Sequence, residues 1–342
     1  MTVTVAVDAN GADLGPGEVA AGAALAARSG TRVLLFGPAA EIPDPAEGVE
    51  VVDAPVSVAK APEPARAVRA HPDASIVQAA RAVAEDRAQA LVSGGSTGSA
   101  LAAGLFHVRR ARGVHRPALA LPLPIPGAPV LLLDVGANAE ARPDHLVQFA
   151  FMGSAFARAV LGVDAPRVAL LSNGEEPTKG TPDVIATHEL LADAPGLRFV
   201  GNVEGTGVMG GAADVVVTDG FTGNVALKLM EGVSETLLRA VKEAAVSSAR
   251  GKAGGVLLRP SLQGLRDALD PESSGGAYML GLRRVGVVCH GRFGRKGFAN
   301  AIDVAARGVR EQAVEKTYEA LDAAGALRGS PPSEAAASVP SS

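Results

Sequence analysis

Residues 214–228 read DVVVTDGFTGNVALK, and this stretch sets the expectation for the fold. The β-branched run from Val215 to Thr218 is typical of a buried strand, and a long helical pattern follows it. A strand, a glycine-containing turn and a helix start direct backbone N–H groups and a helix dipole toward an anion. Asp219, Thr222 and Asn224 add polar side chains, so the stretch predicts a phosphate or oxyanion site. An ordinary connection between a strand and a helix is the alternative interpretation.

A second junction lies in residues 91–104, LVSGGSTGSALAAG, where an apolar strand end meets a helix rich in alanine and leucine. The loop does not end in Gly-Lys-Ser or Gly-Lys-Thr, so it is not a Walker phosphate loop. It also lacks the GxGxxG pattern of dinucleotide sites. Its small residues and hydroxyls still suit a phosphate, and the expected binding residues are Ser93, Gly95, Ser96 and Thr97.

A third junction, residues 131–150, reads LLLDVGANAEARPDHLVQFA and places Asp134 and Asn138 after an apolar run. A proline then begins a helix, and His145 in its first turn either contributes to the site or only caps and packs. Asp8, at the end of the first strand, either lines the same cleft or only builds its turn. Because parallel strands end at a common edge, the three junctions are expected to share one cleft.

Short apolar segments alternate with helical patterns along most of the chain. This alternation predicts a mostly parallel, Rossmann-like sheet covered by helices on both faces, a three-layer α/β/α fold. We expect residues 1–328 to form a single α/β catalytic unit, either as one body or as two lobes that share one cleft. Residues 329–342, GSPPSEAAASVPSS, are expected to form a disordered tail.

Residues 225–269 are distinct because two helical patterns follow each other around a glycine-containing break at Gly251, Gly254 and Gly255. The segment predicts a helical hairpin whose apolar tip consists of residues 256–258, Val256, Leu257 and Leu258. One interpretation is a hairpin that packs in the core or in a dimer. The other is a peripheral membrane contact, in which the apolar residues insert and nearby cations meet anionic headgroups.

Composition excludes several classes of protein. The chain has 342 residues with 47% hydrophobic residues and a net charge of −4, which provides an ample core and argues against a nucleic-acid partner. No signal sequence is expected, because the first residues lack a basic, apolar leader pattern, and no apolar run reaches the length of about 18 residues that a membrane span needs. The single cysteine, Cys289, excludes an internal disulfide and indicates a cytoplasmic protein. Cys289 lies in an apolar run, which favours a buried strand residue over a nucleophile.

The chain is identified as similar to a known family by several motifs that occur in that family's order. They are DVGAN, HLVQFAFMG, GEEPTKG, GNVEG and DGFTGNVALK. Together they resemble the PlsX-type phosphate acyltransferases, and the resemblance extends from residues 6–13 to residues 289–291. It implies transfer of a fatty acyl group from acyl carrier protein to inorganic phosphate, which gives acyl phosphate for phospholipid synthesis. It also implies an isocitrate-dehydrogenase/phosphotransacetylase-like fold, a homodimer and peripheral contact with a membrane.

The chain departs from the family's usual pattern at a few positions. AVDAMGGD is AVDANGAD here, SAGNTGA is SGGSTGS with Ser96 in place of an amide, and a Ser-Ser pair is Arg292-Phe293. A segment that resembles DYSEYGGA reads DPESSGGA, so that Pro271 and Ser274 replace two tyrosines. We expect these departures to alter the acyl-chain and carrier preference more than the reaction.

The reaction that the resemblance implies needs little help from a base, because phosphate is already anionic near neutral pH. It needs positioning and groups that stabilise the developing oxyanion. By resemblance, Lys179 and Asn224 are the catalytic candidates. Lys179 would neutralise phosphate or the oxyanion, or would only pair with Glu175 or Glu176. Asn224 would donate to the thioester carbonyl, or would only cap a helix.

Neither a metal nor an organic cofactor is expected, because the six histidines are scattered without metal-ligand spacing. Two other classes of function remain open. One is an enzyme of related fold, similar to a phosphotransacetylase or a dehydrogenase, or an acyl-carrier enzyme of a specialised pathway. The other is a non-catalytic scaffold that binds a carrier protein or a membrane.

Overall fold

The computed structural model describes residues 2–42, 44–123, 125, 129–248, 250–258, 264 and 270–328. The expected tail and the hairpin residues 259–263 and 265–269 lie outside this set. Within it, eleven strands form one sheet. They are β1 (Thr4–Asp8), β2 (Arg32–Gly37), β3 (Val49–Asp53), β4 (Ala90–Ser93), β5 (Ala118–Leu123), β6 (Val130–Leu133), β7 (Arg167–Leu171), β8 (Arg198–Val203), β9 (Val215–Val217), β10 (Ala277–Leu280) and β11 (Val285–Val288).

Helices connect the strands. They are α1 (Pro16–Arg28), α2 (Pro64–Ala70), α3 (Ser75–Ala84), α4 (Thr97–Ala103), α5 (Pro143–Val160), α6 (Pro182–Ala192), α7 (Gly205–Met209), α8 (Gly220–Val246), α9 (250–258), α10 (Pro271–Ser274), α11 (Arg295–Arg310) and α12 (Ala313–Ala323). Across the described ranges, none of these helices combines the length and the apolar character that a membrane span requires.

Each face of the sheet carries its own hydrophobic core, because successive side chains of a strand point to opposite sides. Val5 and Val7 of β1 belong to the core that α1, α5, α11 and α12 cover. Ala6, between them, belongs to the core on the other face, which α3 and α4 cover. Two helical layers around one sheet confirm the predicted three-layer α/β/α fold.

The order of the strands is β3-β2-β1-β4-β11-β10-β5-β6-β9-β7-β8. Three consecutive pairs, β11–β10, β10–β5 and β5–β6, are antiparallel, and the other pairs are parallel. Three reversals in succession make β6, β9, β7 and β8 run opposite to β1, β4 and β11. The sheet is therefore mostly parallel within two groups of strands that point in opposite directions.

This topology corrects the expectation that the three polar junctions end at one edge. Ser93 closes β4 at one edge, whereas Asp134 and Asp219 follow β6 and β9 at the opposite edge. The strand β10 supplies two of the three reversals. Without that strand, the sequence pattern gave no reason to expect a change of direction.

The helix α8 begins four residues before Asn224, so the segment DGFTGN is the helix cap Asp219 followed by the first residues of α8 rather than a loop. After α8, residues 250–258 are helical, and the three glycines expected to break the pattern lie inside this helix. The chain turns back here, because a Cβ placed on Gly255 would lie 3.1 Å from the Cβ of Ala245. Val256, Leu257 and Leu258 are 72%, 82% and 57% exposed.

Candidate active site

The start of α8 packs tightly against the loop that follows β6. A Cβ on Gly223 would lie 1.9 Å from the carbonyl oxygen of Asp134, so only glycine permits this approach. Asp219 caps the helix, accepting hydrogen bonds from the backbone N–H of Thr222 at 2.8 Å and from its hydroxyl at 2.7 Å. The expected site residues Asp219 and Thr222 therefore bind each other and fix the first turn of α8.

Asn224 lies in the second turn of α8, so its interpretation as the helix cap is wrong. Its side chain packs against the loop after β6, where a Cβ on Gly136 would lie 3.7 Å from the amide carbon. Asn224 is exposed, and none of the described residues makes a hydrogen bond with its carboxamide. This amide therefore has a donor free for a ligand, held over a glycine that leaves space.

Asp134 is fully buried and organises the loop beside Asn224. One carboxylate oxygen accepts hydrogen bonds from the backbone N–H groups of Leu119, Gly136 and Ala137 at 3.0, 3.1 and 2.9 Å. The other accepts from the backbone and the amide of Asn138, both at 2.8 Å. Burial raises the pKa of Asp134, and these hydrogen bonds oppose the rise. Asp134 thus shapes the loop instead of facing a ligand.

Asn138 completes this framework. Its amide also donates to the carbonyl oxygen of Pro117 at 2.7 Å, just before β5. Both amide donations of Asn138 go to protein groups, one to Asp134 and one to Pro117. The sequence analysis placed Asp134 and Asn138 at this edge. In the structure their hydrogen bonds hold the loop beside Asn224 in position.

Lys179 follows β7, which lies next to β9, so it belongs to the same edge as Asn224. It is exposed, and a Cβ on Gly174 would lie 2.7 Å from its Cγ. In the part of the chain that the structure describes, no carboxylate pairs with its ammonium, so the interpretation as a partner of Glu175 or Glu176 is wrong. The backbone of this loop is held by Asn202, whose amide donates to the Glu176 carbonyl at 2.9 Å.

Ser172, the first residue after β7, is a neighbour of Lys179 that the sequence analysis missed. Its hydroxyl is buried, and no described group makes a hydrogen bond with it. A Cβ on Gly180 would lie 3.1 Å from this hydroxyl oxygen. Its position directly after a strand was the available signal.

The loop after β4 forms a separate group at the opposite edge. Asp8 is buried and accepts hydrogen bonds from the hydroxyls of Ser75 at 2.6 Å and Ser93 at 2.8 Å. Ser93 in turn accepts from the backbone N–H of Gly95 at 3.1 Å. Burial raises the pKa of Asp8, and its hydrogen bonds oppose the rise. Asp8 and Ser93 therefore stabilise the loop from inside.

Ser96 caps α4 by accepting a hydrogen bond from the backbone N–H of Ser99 at 3.1 Å, and Thr97 is exposed in the first turn. These residues follow a strand that ends at the opposite edge from the one that carries Asn224. The helix α8 links the two groups, because Glu231 accepts a hydrogen bond from Lys228 at 2.8 Å and lies 3.9 Å from Arg292, beyond β11.

His145 caps and packs, which was one of its two interpretations. It is buried in the first turn of α5, and its Nδ1 accepts from the backbone N–H of Arg142 at 3.3 Å. Burial lowers its pKa. His115, Asp144 and His145 bring their ligand atoms within 4.8 Å of one another, which corrects the prediction that no histidine has metal-ligand neighbours. The guanidinium of Arg142 lies 3.2 Å from Nε2 of His145 and opposes a cation there.

Cys289 is buried, and its thiol lies 3.5 Å from the carbonyl oxygen of Ser93. Burial strongly raises the pKa of this thiol. A thiol that stays protonated at neutral pH is a poor nucleophile, so the interpretation as a buried residue beside the sheet is the one that fits.

Solved structures of phosphotransacetylases share this fold. The phosphotransacetylase of Streptococcus pyogenes superposes with a TM-score of 0.61 at 16% identity, covering 92% of this chain and 94% of the other. EutD phosphotransacetylase from Staphylococcus aureus gives a TM-score of 0.58 at 17% identity, covering 91% and 94%. The fold thus places the chain in a phosphotransacetylase-like class of α/β proteins.

Closer relatives define the family. Residues 3–316 match the family described as "Fatty acid synthesis protein". A phosphate acyltransferase of Heliobacterium modesticaldum is 44% identical over 324 residues, 92% of this chain and 96% of the relative. A phosphate acyltransferase of Latilactobacillus sakei subsp. sakei is 45% identical over 295 residues, 84% of this chain and 88% of the relative. The chain belongs to this family, the PlsX-type phosphate acyltransferases, and the resemblance of its motifs is confirmed.

Proposed function

We propose that this enzyme transfers a fatty acyl group from acyl carrier protein to inorganic phosphate. The acyl phosphate would serve phospholipid synthesis in the cytoplasm. The observation that carries the proposal is the exposed carboxamide of Asn224 above Gly136, at the same edge of the sheet as the ammonium of Lys179, neither of which has a partner among the described residues. A neutral donor and a cation at one edge suit a reaction between an anion and a carbonyl group.

The proposed step needs only these groups and the two substrates. A phosphate oxygen attacks the thioester carbonyl carbon, and the electron pair of the C=O bond moves to oxygen. The Asn224 amide donates a hydrogen bond to this oxyanion, and Lys179 offsets the charge of phosphate. When the intermediate collapses, the C–S bond breaks and the thiolate leaves with the carrier, to be protonated by solvent. Asp134 and Asn138 hold the loop under Asn224.

Trapping of the product tests the proposal. The enzyme is mixed with hexadecanoyl acyl carrier protein and phosphate, and hydroxylamine converts any acyl phosphate to a coloured hydroxamate complex with iron. Every reaction contains a chelator until quenching, and we expect full activity, because no described step uses a metal. Reactions without phosphate or without enzyme set the background. Equal rates with a coenzyme A thioester and the carrier thioester would favour a phosphotransacetylase-like activity, and no product from either would leave only the scaffold hypothesis.

We propose that a second copy of the chain covers an exposed apolar stripe on α8. Large apolar residues recur at every fourth position and are exposed: Phe221, Val225, Leu229, Val233, Leu237 and Val241. Each step of four residues turns about 40° beyond a full circle, so the stripe winds around the helix by about 200° in all. Replacing Leu229 and Leu237 by Glu is expected to convert a dimer to a monomer in sedimentation velocity. A wild-type protein that sediments as a monomer at every concentration would contradict the proposed homodimer.

We propose that the tip of the hairpin contacts a membrane peripherally. Each fully buried aliphatic side chain contributes about 1.5–3 kcal/mol, and each cation near anionic lipid contributes about 1 kcal/mol. Val256, Leu257 and Leu258, with Arg250 and Lys252 nearby, therefore predict weak and reversible binding. Replacing Leu257 and Leu258 by Asp is expected to abolish co-sedimentation with anionic vesicles and to leave acyl-phosphate synthesis near normal.

A matched control carries the same two charges elsewhere. Leu14 and Leu190 are 57% and 55% exposed, comparable with Leu258, and their replacement by Asp should leave vesicle binding unchanged. If the Leu257→Asp, Leu258→Asp variant instead becomes monomeric or unfolds, the tip packs against a second copy, and the membrane contact is wrong.

A further inference from the structure

A cavity of about 330 Å³ lies between β5 and α8 and is closed on a third side by α10. This is within the range of small-molecule sites, about 300–1,000 Å³. The described residues that line it from the sheet and helices are mainly aliphatic, and none of them is aromatic: Leu121, Leu123, Ile125, Met209, Leu227, Met230 and Leu238. Polar residues line other parts of the cavity, among them Glu231, Asp270 and Arg292.

The cavity begins next to the proposed catalytic amide. Leu227 and Leu238 are three and fourteen residues after Asn224 on the same helix, so this wall extends from about 5 Å to about 21 Å beyond Asn224 along the axis. The Asn224 side chain is rotated only about 60° around α8 from Leu227. A thioester carbonyl held by Asn224 would therefore have its substituent beside the entrance of the cavity.

We propose that this cavity binds the unbranched aliphatic chain of the acyl group and that its length limits the chain the enzyme accepts. The inference rests on the proposed acyl transfer and adds the location of the chain. An elongated, aliphatic cavity beside a polar centre matches a substrate that is polar at one end and apolar along its length. Transfer of such a chain out of water favours binding by about fourfold for each methylene group buried.

The lining also contains three of the departures from the family's usual sequence. Pro271 and Ser274 of α10 and Arg292 beyond β11 all face this one cavity, although they are separate in the sequence. Arg292 lies 3.9 Å from Glu231, so an ion pair forms part of the wall. Two smaller residues in place of tyrosines leave space there, which favours a long chain over a short one.

Filling the cavity tests the inference. Met230→Trp, on a half-buried position of α8, is expected to raise the KM for hexadecanoyl acyl carrier protein at least tenfold. The same variant should keep kcat/KM for the butanoyl thioester within about twofold, because an extended four-carbon chain of about 5 Å ends before Met230, which lies about 9 Å beyond Asn224 along α8. Ser234→Phe, one turn further, is the second variant if Met230→Trp does not fold. Leu190→Trp, exposed on α6, is the matched control. It should change neither the KM for the long-chain substrate nor kcat/KM for the short one.

A binding measurement separates this inference from the proposed function. A fluorescent polyene fatty acid is titrated into the full chain, and loss of its binding in Met230→Trp but not in Leu190→Trp supports the cavity. If the wild type makes no acyl phosphate yet binds the probe in this way, the proposed reaction fails and the chain site stands. An active wild type whose chain-length profile and probe affinity are both unchanged by Met230→Trp and by Ser234→Phe overturns the inference.

Discussion

Replacing Lys179 by alanine is expected to lower the turnover of acyl transfer by on the order of 100-fold or more, the effect of removing one group that stabilises developing charge. The reason is electrostatic: phosphate carries negative charge, and the tetrahedral intermediate adds an oxyanion to it. In the described structure the ammonium of Lys179 has no carboxylate partner that would already neutralise it. The measurement is kcat from the hydroxamate assay at saturating phosphate and thioester.

The fold of the Lys179→Ala variant should be preserved, because the side chain is exposed and belongs to neither core. Lys316→Ala, which removes an exposed lysine from α12, is the matched control and is expected to keep wild-type turnover. Lys179→Arg keeps the charge and should recover part of the rate if charge is what matters. Wild-type turnover in a folded Lys179→Ala variant would remove this residue from the mechanism.

Local patterns predicted the elements that carry the site. The β-branched run 215–218 is the strand β9, and the apolar run before Asp134 is β6. These two strands pair in parallel, with Leu133 beside Val217, so the residues that follow them meet at one edge. Hydrophobic periodicity and helix-start signals are local properties, which is why one sequence sufficed for this half of the site.

The relation between the two edges depended on contacts that are distant in sequence. Tyr278 of β10 pairs with Ala120 of β5, more than 150 residues earlier in the chain. Such pairing leaves no periodic signal in either segment, so the reversal of strand direction was not predicted. The expectation that the strands before Ser93 and Asp134 end at the same edge followed from assuming a uniform direction, and it was wrong for that reason.

The start of α8 was misplaced for a related reason. Two glycines in the segment DGFTG favour a turn by propensity. In the structure both are helical, because Gly220 and Gly223 lie against Asn138 and Asp134, where a side chain would collide with the backbone. Tertiary packing therefore overrides the local preference and moves the helix cap from Asn224 to Asp219.

Replacing Asn224 by alanine is expected to lower kcat by about 100- to 1,000-fold, the effect typical of removing one oxyanion donor. The KM values should change less, because the hydrogen bond to the carbonyl oxygen strengthens only as charge develops in the transition state. The thermal midpoint of unfolding should stay close to the wild-type value, because no described group makes a hydrogen bond with this carboxamide.

Asn224→Asp distinguishes two possible roles of Asn224. The residue either donates a hydrogen bond to the oxyanion or only supports the loop by its shape. Aspartate has nearly the same shape and would pack over Gly136 in the same way, but it lacks the N–H donor and adds a negative charge near phosphate. We expect its kcat to fall at least as far as that of Asn224→Ala, with phosphate binding weakened by repulsion. If Asn224→Asp retains wild-type kcat while Asn224→Ala loses it, the residue supports the 134–138 loop by its shape, and the oxyanion donor must be sought elsewhere at this edge.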